Sequence, residues 1–189
     1  MIPSSSSDLS GVAARVREQM VEVERLLSKR DPAQVTWRPD EASWSLVGHV
    51  AHMAIVHGPY VDSIHLALEG ARARSAPMSD GPWKHSLISR WFVRQNEPPP
   101  KRRIRTFKAM VPDPGTTREA ALTDFRSTHE RLLAAIEDAH GLDLGRIRFG
   151  SPFFGLLRLS AGAAVGLLVA HTDRHIWLMH EVNRMRTGG

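Results

Sequence analysis

Four segments of the chain repeat apolar residues in steps of three and four, the spacing that gives a helix one buried face. The first spans residues 8–30, with charged residues between the apolar positions. Its inner face consists of Leu9, Val12, Val16, Met20, Val23 and Leu27. Asp8 or Ser10 is expected to cap the start of this helix. Asp31-Pro32 is expected to end it, because the residue before a proline avoids helical geometry.

The second segment, residues 44–69, is apolar nearly all round. A helix of this kind is expected at the centre of a bundle. Ser43, at the end of a preceding turn, is the predicted N-cap. Gly58-Pro59 is expected to kink or interrupt the helix, because proline removes a backbone donor and its ring clashes with the preceding turn.

Two further helices are predicted in the second half of the chain. The third covers residues 117–140 and ends before Gly141, a favourable C-terminal stop. Its inner face is marked by Leu122, Phe125, His129, Leu132 and Ile136. The fourth begins at Leu159 or Ser160 and runs to about Met185. Its inner face is formed by Ala164, Leu167, Leu168, His171, His175, Leu178 and Val182.

The connection between helices 2 and 3, residues 70–116, is rich in Pro, Gly and Ser and is long enough to roof a pocket. A short helix is predicted inside it at residues 87–93. Because no convincing set of strands is present, the predicted fold is all-α, a four-helix bundle with a long helix 2–3 crossover. Without repeats or dividing linkers, the chain is expected to form a single domain over residues 1–189, structured from about 8 to 186.

Composition narrows the class of protein. A chain of 189 residues with 42% hydrophobic and 24% charged residues fits a soluble globular protein. The absence of cysteine excludes disulfides, thiolate metal ligands and a cysteine nucleophile. No secretory signal is visible, and the most apolar stretch, residues 156–170, is too short for a membrane span and contains Arg158. We therefore expect a cytoplasmic protein that does not enter a membrane.

Histidines carry the strongest chemical signal. His171 and His175 lie four residues apart in the last helix, so both imidazoles project from one face and can reach one cation. His49 and His52, in the second helix, compete to supply a third imidazole. Three nitrogens with open positions are what a catalytic metal requires. The alternative for the pair is a structural one, in which both nitrogens of each packed ring need hydrogen-bond partners.

Other polar and aromatic residues are given structural interpretations. His129, on the inner face of helix 3, is expected to be a satisfied core histidine. Surface or packing roles are expected for His57, His65, His85, His140 and His180. Asp173 is expected in solvent, whereas Glu181 and Asp62 are candidate acceptors for a ligand imidazole. Two tryptophans are expected to pack or to wall a pocket, Trp44 and Trp177.

Three features of the chain resemble the DinB-like superfamily, which includes bacillithiol and mycothiol S-transferases and mycothiol-dependent maleylpyruvate isomerase. The first is the motif Ser43-Trp44-Ser45-Leu46-Val47-Gly48-His49-Val50-Ala51-His52. The second is His171-x-x-x-His175 with Arg174 before the second histidine. The third is the order of elements, including the Ser151-Pro152-Phe153-Phe154 approach to helix 4. The likeness spans about residues 8–186.

The resemblance implies a four-helix bundle in which three histidines, His52, His171 and His175, hold a divalent metal. His49 is then a structural residue or lies behind the ligands. The implied function is a metal-dependent enzyme that activates a thiol or water for S-transfer or hydrolysis of a small molecule. Zinc and nickel both suit imidazole ligands, and a low-molecular-weight thiol is an implied cofactor. A homodimer is also implied.

Two other functions are compatible with the sequence. Many relatives carry Gln three residues after the last histidine, where this chain has Leu178, and loss of that polar group is compatible with a non-catalytic metal- or small-ligand-binding bundle. The formal charge of +5 includes a basic cluster, Lys101, Arg102, Arg103, Arg105 and Lys108. We interpret this cluster as a solvated loop. Nucleic-acid binding would need stacking aromatic groups or a recognisable reader fold beside it.

Overall fold

The computed structural model describes residues 8–75, 83, 91, 93–100 and 106–188. Its elements are α1 (Leu9–Ser28), α2 (Pro32–Thr36), α3 (Leu46–Ala73), a 3-10 turn (Lys108–Met110), α4 (Arg118–Asp138), β1 (Arg148–Gly150), β2 (Arg158–Ser160) and α5 (Ala161–Thr187). The four long helices α1, α3, α4 and α5 confirm the predicted four-helix bundle. The predicted helix at 87–93 and the basic residues 101–105 lie largely outside the described residues.

Side-chain caps fix where the helices begin. The Asp8 carboxylate accepts hydrogen bonds from two amides in the first turn of α1, as predicted. Thr117 caps α4 and Ser160 caps α5. The cap of α3 is Ser45, whose hydroxyl accepts from the Gly48 amide, and the prediction of Ser43 was wrong. Both serines are good caps by residue type, so sequence alone does not choose between them.

α3 runs without a break through Pro59, so the predicted interruption does not occur. The helix packs against both α4 and α5. Side chains are buried along its whole length, from Leu46 to Ala71. Packing on several sides compensates for the one backbone hydrogen bond that proline removes, since tertiary contacts supply most of a helix's stability in a protein. α3 thus brings residues from several turns into the bundle interior.

A two-stranded hairpin precedes the last helix, although no strands were predicted. β1 and β2 are antiparallel, with Phe149 opposite Leu159. Each strand has three residues, too few to show alternation in the sequence. The hairpin is joined to α3 by a buried hydrogen bond of 2.8 Å between the Tyr60 and Ser151 hydroxyls. The short helix α2 was also not predicted.

α1 and α3 both pack against α4 and α5, which places the bundle interior among all four helices. α5 is buried almost continuously over its first ten residues. There the side chain of Trp83, from the long connection, packs against Gly162. Among the described helices, none is long and apolar enough to cross a membrane.

Candidate metal centre

The three histidines singled out by motif position come together inside the bundle. His52 lies in the second turn of α3, and His171 and His175 lie on consecutive turns of α5. One ring nitrogen from each lies within 4.8 Å of a ring nitrogen from the other two. His52 and His175 are only 4% and 5% exposed, whereas His171 is half-buried. The helical spacing on α5 and the contact between α3 and α5 create this arrangement.

The first ligand candidate is oriented by the long connection. His52 Nδ1 lies 2.7 Å from the carbonyl oxygen of Met110, at the end of the 3-10 turn. A carbonyl only accepts, so Nδ1 carries the ring proton and donates it. In a neutral imidazole this leaves Nε2 with a lone pair, the form that a metal ligand needs. The connection therefore contributes a backbone group to the site.

The other two candidates are each paired with a further histidine on α3. His175 Nδ1 lies 2.9 Å from His49 Nδ1. His171 Nδ1 lies 2.9 Å from His57 Nε2. All three candidates therefore have Nδ1 engaged in a hydrogen bond, and Nε2 is the nitrogen left to each for a cation. This donor set fits a divalent ion that prefers imidazole, such as zinc or nickel.

An aromatic ring lies against the histidines. The Trp44 indole is 4.5 Å from the His52 ring and 6.1 Å from the His175 ring, centroid to centroid. It is also in edge contact with His49. Because Ser45 caps α3, Trp44 precedes the helix and its side chain folds back over the first turns. The prediction that Trp44 packs or walls a pocket is consistent with this position.

Burial keeps the clustered imidazoles neutral. Desolvation lowers the pKa of His49 to about 3 and that of His52 to about 4. Desolvation also holds the pKa values of His171 and His175 well below the usual value. Neighbouring histidines and the positive charge of Arg174 lower them further. Ring nitrogens that stay unprotonated at neutral pH are free to bind a metal.

Two predicted carboxylate acceptors do not contact the site. Glu181 pairs with Arg184, and Asp62 pairs with Arg131 at the surface. Both therefore lie on outward faces of their helices. The groups that share hydrogen bonds with the three candidate ligands are instead His49, His57 and the Met110 carbonyl.

The expectation that Asp173 is solvated was also wrong. Its carboxylate accepts from Arg15, and from Gln19 Nε2 at 2.7 Å. Gln19 Nε2 also donates to the Val169 carbonyl at 2.8 Å. Asp173 therefore ties α5 to α1 on the side of the helix away from the histidine cluster.

His57 is the main residue that sequence reasoning missed. The sequence predicts a surface or packing role for it; it is fully buried, and its hydrogen bond to His171 is the part that was not predicted. A signal was available: the residues before and after His57 in this helix are mostly apolar, which favours burial, and a buried histidine needs a partner. His49, expected to be structural or to lie behind the ligands, does contact His175.

The remaining histidines follow their predicted roles where the structure describes them. His129 is a core residue whose Nδ1 donates to the Phe125 carbonyl at 2.8 Å. His65 is half-buried and bonds the Arg131 carbonyl. His140 and His180 are exposed, beside Glu137 and Glu22 respectively. His85 lies outside the described residues.

Comparison with known proteins agrees with this architecture. The family model of the DinB superfamily matches residues 15–179. The chain belongs to the DinB superfamily. No curated protein sequence shows significant similarity to it. Among solved structures, it is similar to YfiT from Bacillus subtilis, with a TM-score of 0.59 and 16% identity over 95% of this chain and 87% of YfiT. YfiT is described as a probable metal-dependent hydrolase with an unusual four-helix bundle topology. At this identity, the likeness shows a shared fold.

Proposed function

We propose that this chain is a divalent-metal-dependent enzyme in which His52, His171 and His175 hold the ion. One observation carries the proposal: the three imidazoles converge, and each has Nδ1 engaged so that Nε2 is left for a metal. A set of packed structural histidines would need partners for both nitrogens of each ring. The DinB superfamily model covers all three positions, and the resemblance of their motifs implies the same ligands.

The charge of the site favours activation of a nucleophile. Three neutral imidazoles add no negative charge, and the groups hydrogen-bonded to them are two imidazoles and a carbonyl. A bound divalent cation would keep its full charge and lower the pKa of a coordinated water or thiol. The chain's own contribution is to hold the ligand nitrogens neutral and oriented, with the Trp44 ring against them.

The reaction we propose is S-transfer from a low-molecular-weight thiol to a small electrophile, or hydrolysis by water. The family resemblance supports the first, and the description of YfiT as a probable metal-dependent hydrolase supports the second. Both reactions need one activated nucleophile. They differ in whether a thiol or a water would occupy the open coordination position of the ion. Zinc and nickel are the proposed ions.

Turnover of metal-loaded protein tests the proposal. Zinc- and nickel-loaded samples are compared with metal-free protein on a panel of thiols with electrophiles and on a panel of activated esters and amides. Activity that depends on the metal and is lost in His52→Ala supports an enzyme. His65→Ala, on the same helix but outside the cluster, is the matched control and should keep activity. Tight metal binding with no turnover on either panel would favour the non-catalytic binding bundle.

A further inference from the structure

Two histidines on α3 lie directly behind the two candidate ligands on α5. We propose that His57 and His49 are positioning residues that orient His171 and His175 and accept their Nδ1 protons when these two bind a metal. The inference rests on the proposed metal site and adds two residues to it. Its basis is a pair of ring-to-ring hydrogen bonds of 2.9 Å, His57 Nε2 with His171 Nδ1 and His49 Nδ1 with His175 Nδ1.

Each of these two histidine pairs is joined by one hydrogen bond, whose proton belongs to one ring or the other. If His171 binds a cation through Nε2, its single ring proton is on Nδ1 and must be donated to His57 Nε2. The opposite arrangement, with the proton on His57 Nε2, puts the His171 proton on Nε2 and blocks metal binding. Metal binding by His171 therefore requires His57 to accept at Nε2, with its own ring proton on Nδ1. The same reasoning applies to His175 and His49.

The burial of His57 is unfavourable unless it serves such a role. Its side chain is fully buried, and its second nitrogen, Nδ1, has no hydrogen-bond partner among the residues that the structure describes. A buried polar atom without a partner costs free energy, so an apolar residue would suit a purely structural position better. Violations of this kind are expected at functional sites. The unpartnered nitrogen is therefore an independent sign that His57 is retained for its contact with His171.

α3 provides three of the groups that build the site. His52 is a proposed ligand, while His49, one turn earlier, and His57, further along, meet the ligands of α5. Carboxylates commonly fill this supporting position and add negative charge to the ligand. Here neutral imidazoles fill it, so the supporting groups orient the ligands without reducing the positive charge of a bound ion.

Matched substitutions separate hydrogen bonding from packing. His57→Met removes the acceptor, whereas His57→Gln places a carbonyl oxygen near the position of Nε2. At the other position, His49→Leu removes the acceptor, and His49→Asn places a carbonyl oxygen near the position of Nδ1. Zinc affinity is measured by chelator competition, and ring tautomers by nitrogen-15 NMR of zinc-loaded protein. His129→Met, which removes an equally buried histidine that bonds neither ligand, is the control for loss of a core imidazole.

We expect His57→Met and His49→Leu each to weaken zinc binding by roughly 10- to 100-fold, the usual effect of losing a group that orients a metal ligand. His57→Gln and His49→Asn should recover most of that affinity, and His129→Met should bind zinc like the parent. In the zinc-loaded parent, His171 and His175 should carry their protons on Nδ1.

Two results would overturn the inference while leaving the metal site in place. One is parent-like zinc affinity in folded His57→Met and His49→Leu. The other is a proton on Nε2 of His171 or His175 in the zinc-loaded parent, a measurement that does not depend on any variant folding. A parent that binds no zinc would instead overturn the proposed site itself, and the inference with it.

Discussion

The Trp44 indole packs against the His52 imidazole, with ring centroids 4.5 Å apart and a tilt of 42° between the ring planes. Trp44 precedes the N-cap of α3, so its ring folds back over the first turns of the helix. The same indole stacks at 6.1 Å on His175. Trp44 therefore contacts proposed ligands from both helices, and its fluorescence should report on what they bind.

A paramagnetic ion should quench the fluorescence of Trp44. With the indole this close to two of the proposed ligands, we expect nickel or cobalt to reduce tryptophan emission in proportion to occupancy. The chain has five tryptophans, so Trp44→Phe should lose most of the metal-dependent change while keeping emission from the others. Equal quenching in the parent and in Trp44→Phe would place the ion elsewhere.

Asp173 should contribute to stability and not to metal binding. Asp173→Ala leaves Arg15 and Gln19 without their shared acceptor in a partly buried position. The loss of such a partner typically costs about 1–3 kcal/mol. Chemical denaturation of metal-free protein should show this decrease in the free energy of unfolding, with unchanged zinc stoichiometry. A loss of zinc without a loss of stability would show that Asp173 acts on the site.

Gly162 should not tolerate a side chain. A Cβ there would lie 2.2 Å from Trp83 Nε1, and Trp83 is only 7% exposed. Overpacking of this kind costs roughly 1–3 kcal/mol, so Gly162→Ala should lower the free energy of unfolding. Gly58 is also helical, but a Cβ added there would meet no atom of the described part of the chain within 4 Å. Gly58→Ala is therefore the control and should be neutral or stabilising. Equal stability of the two variants would contradict the packing of Trp83 against α5.

His129 should make the metal-free protein sensitive to acid. Burial lowers its pKa to about 4, although its hydrogen bond to the Phe125 carbonyl acts in the opposite direction. The unfolded chain, with a histidine pKa near 6.5, therefore binds more protons between about pH 4 and 6.5, and stability falls as the pH falls through this range. One proton corresponds to about 1.4 kcal/mol per pH unit.

The matched variant for this prediction is His129→Gln. Free energies of unfolding measured between pH 4.5 and 6, an interval of about 1.5 units, should depend less steeply on pH in the variant than in the parent. The difference in slope should approach one proton. Identical slopes would show that His129 is not a neutral buried imidazole in the folded protein.

Local sequence features were sufficient for the helices and for part of the site. The steps of three and four residues located α1, α3, α4 and α5 to within a few residues. The spacing of His171 and His175 placed both rings on one helix face, because that relation depends on helical geometry alone. The choice of His52 over His49 as the third ligand came from the family resemblance of the motif from Trp44 to His52. Spacing alone left both histidines as alternatives.

The supporting contacts of the site depend on tertiary structure and were not predictable. His57 and His171 are 114 residues apart, and their hydrogen bond requires the specific register of α3 against α5. The acceptor for His52 is the backbone carbonyl of Met110, a group that every residue carries and that therefore has no sequence signal. The three-residue strands β1 and β2 are also stabilised by pairing that periodicity does not reveal.

The metal content of protein purified without chelators or a nickel column tests whether the three histidines hold an ion. The parent is compared with His52→Ala, His171→Ala and His175→Ala, and with His65→Ala as the control. We expect about one divalent ion per chain in the parent and in the control, and little in the three variants, since a site with three protein ligands needs all of them. Full metal retention in the three variants would contradict the ligand assignment. A parent that stays metal-free after incubation with zinc, nickel or manganese would contradict the metal centre altogether.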